Sequence, residues 1–214
     1  MAQKRFDEYF AKVVLESCFP ERFTDLQISD KPDLRSGDEV GIEVTNCMPA
    51  RVAEAFNLWH RVEKERENTS PRILERLEQL DEVQLVGNSL VWDQGQYYTD
   101  DIEKSPIKNI LRAAENKIER LNSASANYAN MESYELFINS SVDISTFKQV
   151  YAILNSFIEL NNKPKKFNYI HLITINQKLL TFDLVSKIVL PKYLYTHLER
   201  MADKAIQLYK GVGL

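Results

Sequence analysis

Apolar residues recur at helical spacing from the start of the chain. Phe6, Phe10, Val13 and Val14 share one face between about residues 4 and 18, and Pro20 follows where such a helix would end. From Thr24 the period shortens to that of strands: residues 26–28, a turn-rich Ser29-Asp30-Lys31-Pro32, and then Ser36-Gly37-Asp38 ahead of residues 40–45, which reads as a hairpin. Pro49 opens a second helix with Val52, Ala55, Phe56, Trp59 and Val62 at three- and four-residue spacing. Ser70-Pro71 supplies an N-cap and first-turn proline for a third, striped by Ile73, Leu74, Leu77 and Leu80. Residues 83–99 read as irregular, with short strands at 83–86 and 90–92 around Gly87-Asn88.

Ser105-Pro106 repeats the cap signal before a helix over 105–122, whose Ile107, Ile110, Leu111, Ala114, Ile118 and Leu121 fall on one face. A polar stretch precedes a buried strand at 134–138, and an amphipathic helix covers 147–160. Residues 167–175 are apolar enough for a central strand, turning at Asn176-Gln177-Lys178 into a partner at 179–184. A last helix is expected from about 193 to 209, closed by Gly211. These elements add up to an α/β fold, a mixed central sheet covered by helices, in a single domain spanning 1–214.

Composition adds exclusions. The 214 residues are 44% hydrophobic and 27% charged, enough apolar surface to offset ordering entropy, and no apolar run approaches the roughly 20 residues of a membrane span. The charged opening turns, with Lys4, Arg5, Asp7 and Glu8, lack the apolar core of a secretory signal, which makes a cytoplasmic protein the expectation. Cys18 and Cys47 read as buried small hydrophobes, and His60, His171 and His197 are too dispersed for a zinc site. Residues 1–100 carry −8 and the remainder +4 of a total of −4, so any basic face must come from the second half.

Candidate chemistry concentrates in the hairpin. Lys31-Pro32-Asp33-Leu34 and Gly41-Ile42-Glu43-Val44-Thr45 place two carboxylates on adjacent strands. Alternation sends Ile42 and Val44 into the core, and Glu43 and Thr45 to the opposite face. Asp33 and Glu43 could then share a hard cation such as magnesium or manganese, which takes one or two carboxylates along with water and substrate phosphate and promotes phosphodiester hydrolysis.

This arrangement resembles the PD-(D/E)XK, or restriction-endonuclease-like, nuclease superfamily, in which a helix, three strands, a helix and a strand carry Pro-Asp on the second strand and (D/E)XK on the third. The resemblance implies a nuclease core at about 4–46 and 105–140, a helical insertion at about 50–100 and a C-terminal extension at about 141–214. It makes Asp33, Glu43 and the Val44 carbonyl metal ligands. At the position of the family's lysine this chain has Thr45, which offers only a hydroxyl. A lysine from another element is therefore expected to serve. Lys117, about 80° from the centre of the apolar stripe of helix 105–122, is the candidate. Glu16, flanking the buried face of the first helix while Glu8 points away from it, is the candidate accessory acid.

The reading that follows is a magnesium- or manganese-dependent nuclease acting on DNA, with a homodimer or partner subunit helping a metal site in the acidic half to attract a polyanion. Lys163-Pro164-Lys165-Lys166, ahead of Phe167 and Tyr169, is either a phosphate grip or a solubilising loop. Two alternatives stay open. One is a catalytically inactive nuclease-fold protein that binds nucleic acid or another protein; the other is an unrelated α/β interaction module.

Overall fold

The computed structural model describes residues 6–47, 50–65, 68–80, 83–86, 89–92, 106–125, 127–140, 142–174, 176–195 and 197–211. Ser105 and the Gly87-Asn88 turn lie outside them. The chain forms two compact units, residues 1–47 with 110–214, and residues 48–109.

The larger unit is built on a seven-stranded mixed sheet, in the order β1 (Gln27–Ile28), β2 (Leu34–Ser36), β3 (Val40–Asn46), β6 (Ser133–Asn139), β7 (Phe167–Ile173), β8 (Lys178–Asp183) and β9 (Ile188–Tyr193). The first three strands form an antiparallel meander, β3, β6 and β7 run parallel, and β7 to β9 are antiparallel again. The helices of this unit are α1 (Phe6–Cys18), α4 (Ile107–Asn122), α5 (Phe147–Leu160) and α6 (His197–Gly211). The smaller unit contains α2 (Ala50–Glu65), α3 (Pro71–Glu78) and a hairpin of β4 (Val83–Val86) with β5 (Ser89–Trp92). Arg76 grips Glu54 there through two hydrogen bonds, at 2.7 and 2.9 Å. Ser70 stands at the N-cap of α3, yet its side chain makes no capping bond.

Strand register assigns the two faces of the sheet. Val44, Phe137, His171 and Thr181 form one cross-strand row, and Glu43, Leu136, Ile170 and Phe182 form the next, which faces the other way. On the first face Ile42, Val44 and Phe137 bury against Phe10, Val13 and Val14 of α1, with Leu198, Met201 and Ala205 of α6 in the same cluster. On the second, Phe157 of α5 meets Phe182 edge-on at 5.1 Å. A reciprocal capping box between Thr146 and Gln149 starts α5.

Three expectations are corrected. The segment 188–193, left without a strand in the sequence reading, is the edge strand β9, and the last helix begins at His197 rather than near 193. Pro191 is compatible with that edge, because a missing N–H there breaks no second ladder. Glu8 does not point away from the protein: it is only 6% exposed, because α6 packs beside α1 and brings Tyr209 within 5.8 Å of Tyr9.

A buried polar cluster lies on the α1 face. Glu135 accepts a hydrogen bond from Arg22 on one oxygen, and its other oxygen is 2.8 Å from His171 Nε2, while His171 Nδ1 is 3.1 Å from Thr181 Oγ1. The Arg22 guanidinium stands 4.1 Å from the centre of the Tyr169 ring. Glu135 and His171 are fully buried, and the more exposed Arg22 reaches in to them, clamping residues 19–23 to the sheet.

Candidate functional site

The site begins with a turn and a strand. Gly37, at φ +56, closes the β2–β3 hairpin in the left-handed region that glycine adopts without strain. Two residues before β2, Pro32 lies over Gly41, so close that a Cβ at position 41 would stand 2.6 Å from its Cγ and 2.9 Å from Met131 Cγ. That approach lays Asp33 beside β3. Asp33 occupies the bend just ahead of β2 instead of a strand position, and its Oδ2 accepts from the Val44 amide at 2.7 Å. We expect Gly41→Ala to cost about 1–3 kcal/mol by overpacking, seen as a lowered melting temperature, and to weaken whatever activity depends on Asp33. A variant with unchanged melting would show that the Pro32 turn yields freely.

Across the sheet edge, α4 delivers Lys117. Its ammonium donates to Glu43 Oε2 at 2.6 Å and to Asp33 Oδ2 at 3.0 Å. All three side chains are at least nine-tenths buried. One nitrogen thus joins the two acids, far inside the roughly 8 Å beyond which they could not share a small cation. The β3 alternation holds as read for the core: Ile42 and Val44 pack under α1, while Glu43 faces the α4 side. Glu43 is not solvent-facing, since it is 1% exposed.

The network is not saturated. Among the described residues neither the buried Glu43 Oε1 nor the buried Tyr128 hydroxyl meets a partner at full hydrogen-bonding geometry. Burial first, and then the Glu43 charge, push the Tyr128 phenol well above its ordinary range, against an opposing pull from Arg120 and helped by a weaker hydrogen-bonding interaction with the Glu43 carboxylate. It therefore keeps its proton as an O–H donor beside an orphaned carboxylate oxygen. Tyr128 is carried by residues 127–132, which lie across the Lys31 turn through an Ala129 N–H to Lys31 carbonyl bond of 3.3 Å. Tyr134 anchors the same segment by donating to the Ala129 carbonyl at 2.5 Å.

Two carboxylates, one of them with an unsatisfied buried oxygen, and one main-chain carbonyl suit a magnesium-sized ion that keeps several of its waters. A residue's N–H and C=O point to the same edge of a strand, so the Val44 carbonyl lies on the edge whose amide meets Asp33. Among the described residues there is no cluster of three or more His, Cys, Asp or Glu side chains, so an ion at this site would draw most of its ligands from water and substrate.

Glu16 is not brought to this cluster. Its Oε1 accepts from Lys12 at 2.6 Å and from the Leu26 amide at 2.8 Å, tying α1 to the start of β1. Thr45, in the position of the family's lysine, only donates weakly to the Asn46 carbonyl at 3.3 Å. Cys18 and Cys47 are buried thiols, not joined in a disulfide. Tyr128 and the Glu135–His171 pair were missed in the sequence. For the pair a signal existed, since Glu135 interrupts an apolar strand as Glu43 does.

Beyond Tyr128 a cavity of about 370 Å³ opens toward Asn122 and Lys165. Asn122 pins the lysine-rich loop by bonding both the N–H and the carbonyl of Lys165 at 2.9 Å. Compared with protein-family models, curated proteins and solved structures, the chain matches none. No helix among the described residues is long and apolar enough to cross a membrane.

Proposed function

We propose that the protein is a metal-dependent phosphodiesterase, a DNA endonuclease of the PD-(D/E)XK type whose lysine has moved from the motif strand to α4. The observation that carries this reading is the Lys117 ammonium within 3.0 Å of both motif carboxylates, beside a buried carboxylate oxygen that accepts no full hydrogen bond among the described residues. The order α1, β1, β2, β3, α4, β6 around that point matches the superfamily's core.

In this reading Asp33, Glu43 and the Val44 carbonyl hold magnesium or manganese. When bound, the ion supplies positive charge against the phosphodiester and a more acidic water. Lys117, presented by a sixteen-residue helix, stands where a donor can neutralise charge developing on the phosphate oxygens. The exposed Lys163, Lys165 and Lys166, fixed to the end of the same helix, offer the incoming backbone a cationic approach. A cytoplasmic setting and a second copy or partner subunit to extend the binding surface belong to the same proposal.

One observation favours a second reading. Lys117 fills the space between the acids as a closed ion-pair network would, and Thr45 replaces the usual lysine, as in a nuclease fold kept for binding alone. Incubation with plasmid, single-stranded DNA and RNA in magnesium or manganese decides between them. Cleavage that is abolished by EDTA and by Asp33→Ala is the expected result. Divalent-cation binding without cleavage of any substrate would establish the binding protein instead.

A further inference from the structure

On the sheet face opposite Glu43, the end of α1, the end of β9 and the first turns of α6 line an open cavity of about 430 Å³. Val13, Leu194 and Met201 give it an apolar floor, and Lys192, Arg200 and Lys204 line it without any acid among its walls. Arg200 and Lys204 have no hydrogen-bond or ion-pair partner among the described residues. The Lys192 ammonium donates to the Cys18 carbonyl at 2.5 Å and stands over the Phe19 ring, so no carboxylate neutralises it either.

This chain carries 31 acidic residues against 27 basic ones, yet none of those acids lines this cavity. Three like charges facing one concavity repel one another and focus a positive potential into it, an arrangement completed by a polyvalent anion. Alternation along β9 turns Lys192 toward α1 and the Tyr193 side chain to the other face, where Lys178 stands over its ring, so the charges of the cavity meet its apolar floor alone. Cations for phosphates beside an apolar floor for a base match the two halves of a nucleotide.

We propose that this cavity binds the phosphate groups of a nucleotide, at a site separate from the Asp33–Glu43–Lys117 cluster. Its position on the α1 face puts the whole sheet between the two. The nucleotide is either free or the phosphorylated end of a strand, and the same three cations would recognise both.

Calorimetric titration with ADP, and separately with a 5′-phosphorylated oligonucleotide, tests this in EDTA at about 0.15 M salt, where exposed nonspecific contacts are screened. Saturable binding is expected from at least one probe. The double variant Arg200→Ala/Lys204→Ala should weaken it at least tenfold with an unchanged circular dichroism spectrum, because both side chains are exposed. Loss of ADP binding in that variant identifies a free nucleotide; loss confined to the oligonucleotide identifies a strand end. The proposal is overturned if neither probe saturates, if the double variant binds as the wild type does, or if binding is lost only in Lys163→Ala/Lys165→Ala. None of these results depends on whether the protein cleaves DNA.

Discussion

Lys117→Met is expected to pull stability, metal affinity and cleavage in different directions. Without metal, the variant leaves Asp33 and Glu43 facing each other in a site at least nine-tenths buried, with no counter-charge. Breaking a buried ion pair in this way costs about 3–5 kcal/mol. For a chain of this size that corresponds to a melting temperature lower by roughly 6–20 °C. Manganese should restore most of that loss, and should raise the melting temperature of the variant far more than that of the wild type. The reason is competition: the ammonium and the divalent ion seek the same two carboxylates, so removing the first favours the second, and calorimetry should show tighter manganese binding. Cleavage should nevertheless fall about 100-fold, the scale of losing one charge donor to the transition state. A lysine with a purely structural role predicts that metal affinity and cleavage decline together, and that outcome would remove Lys117 from the chemistry.

Much of this site could be read before any coordinates because its parts obey short periods. Ile42, Glu43 and Val44 alternate within one strand, so the strand period alone sends the acid to the face opposite α1. Lys117 lies on the flank of an α4 stripe whose buried members include Ile110, Ala114, Ile118 and Leu121, and its long stem reaches the sheet along that flank. What escaped depends on segments without a period or on distant partners. Tyr128 sits in irregular chain, and what aims it is a backbone bond to Lys31, nearly a hundred residues earlier. Glu8 and Glu16 were ranked by a single apolar stripe, but α1 is buried on a second side by α6, contributed by the far end of the chain. The strand β9 is short, half exposed and interrupted by Pro191, so the apolar Ile188-Val189-Leu190 run falls below the length at which a strand declares itself.

Glu43→Gln should separate activity from stability more sharply still. The substitution keeps shape and volume while removing one charge. Its amide oxygen can go on accepting from Lys117, and its amide N–H can reach toward the Tyr128 hydroxyl, which meets no partner at full hydrogen-bonding geometry among the described residues. Two unsatisfied buried groups thereby gain a route to pairing, and Lys117 keeps Asp33 as its counter-ion. The melting temperature should stay at or above that of the wild type, as happens where a native site holds polar groups for function at the expense of packing. A neutral amide is a far poorer ligand for a hard cation, so calorimetry should show manganese binding weakened by at least tenfold. Cleavage should fall by about 1,000-fold or more, equivalent to about 4 kcal/mol of lost transition-state stabilisation. A melting temperature lowered as far as that of Lys117→Met would mean that the Glu43 charge is there for the fold, and cleavage within tenfold of the wild type would place the metal site elsewhere.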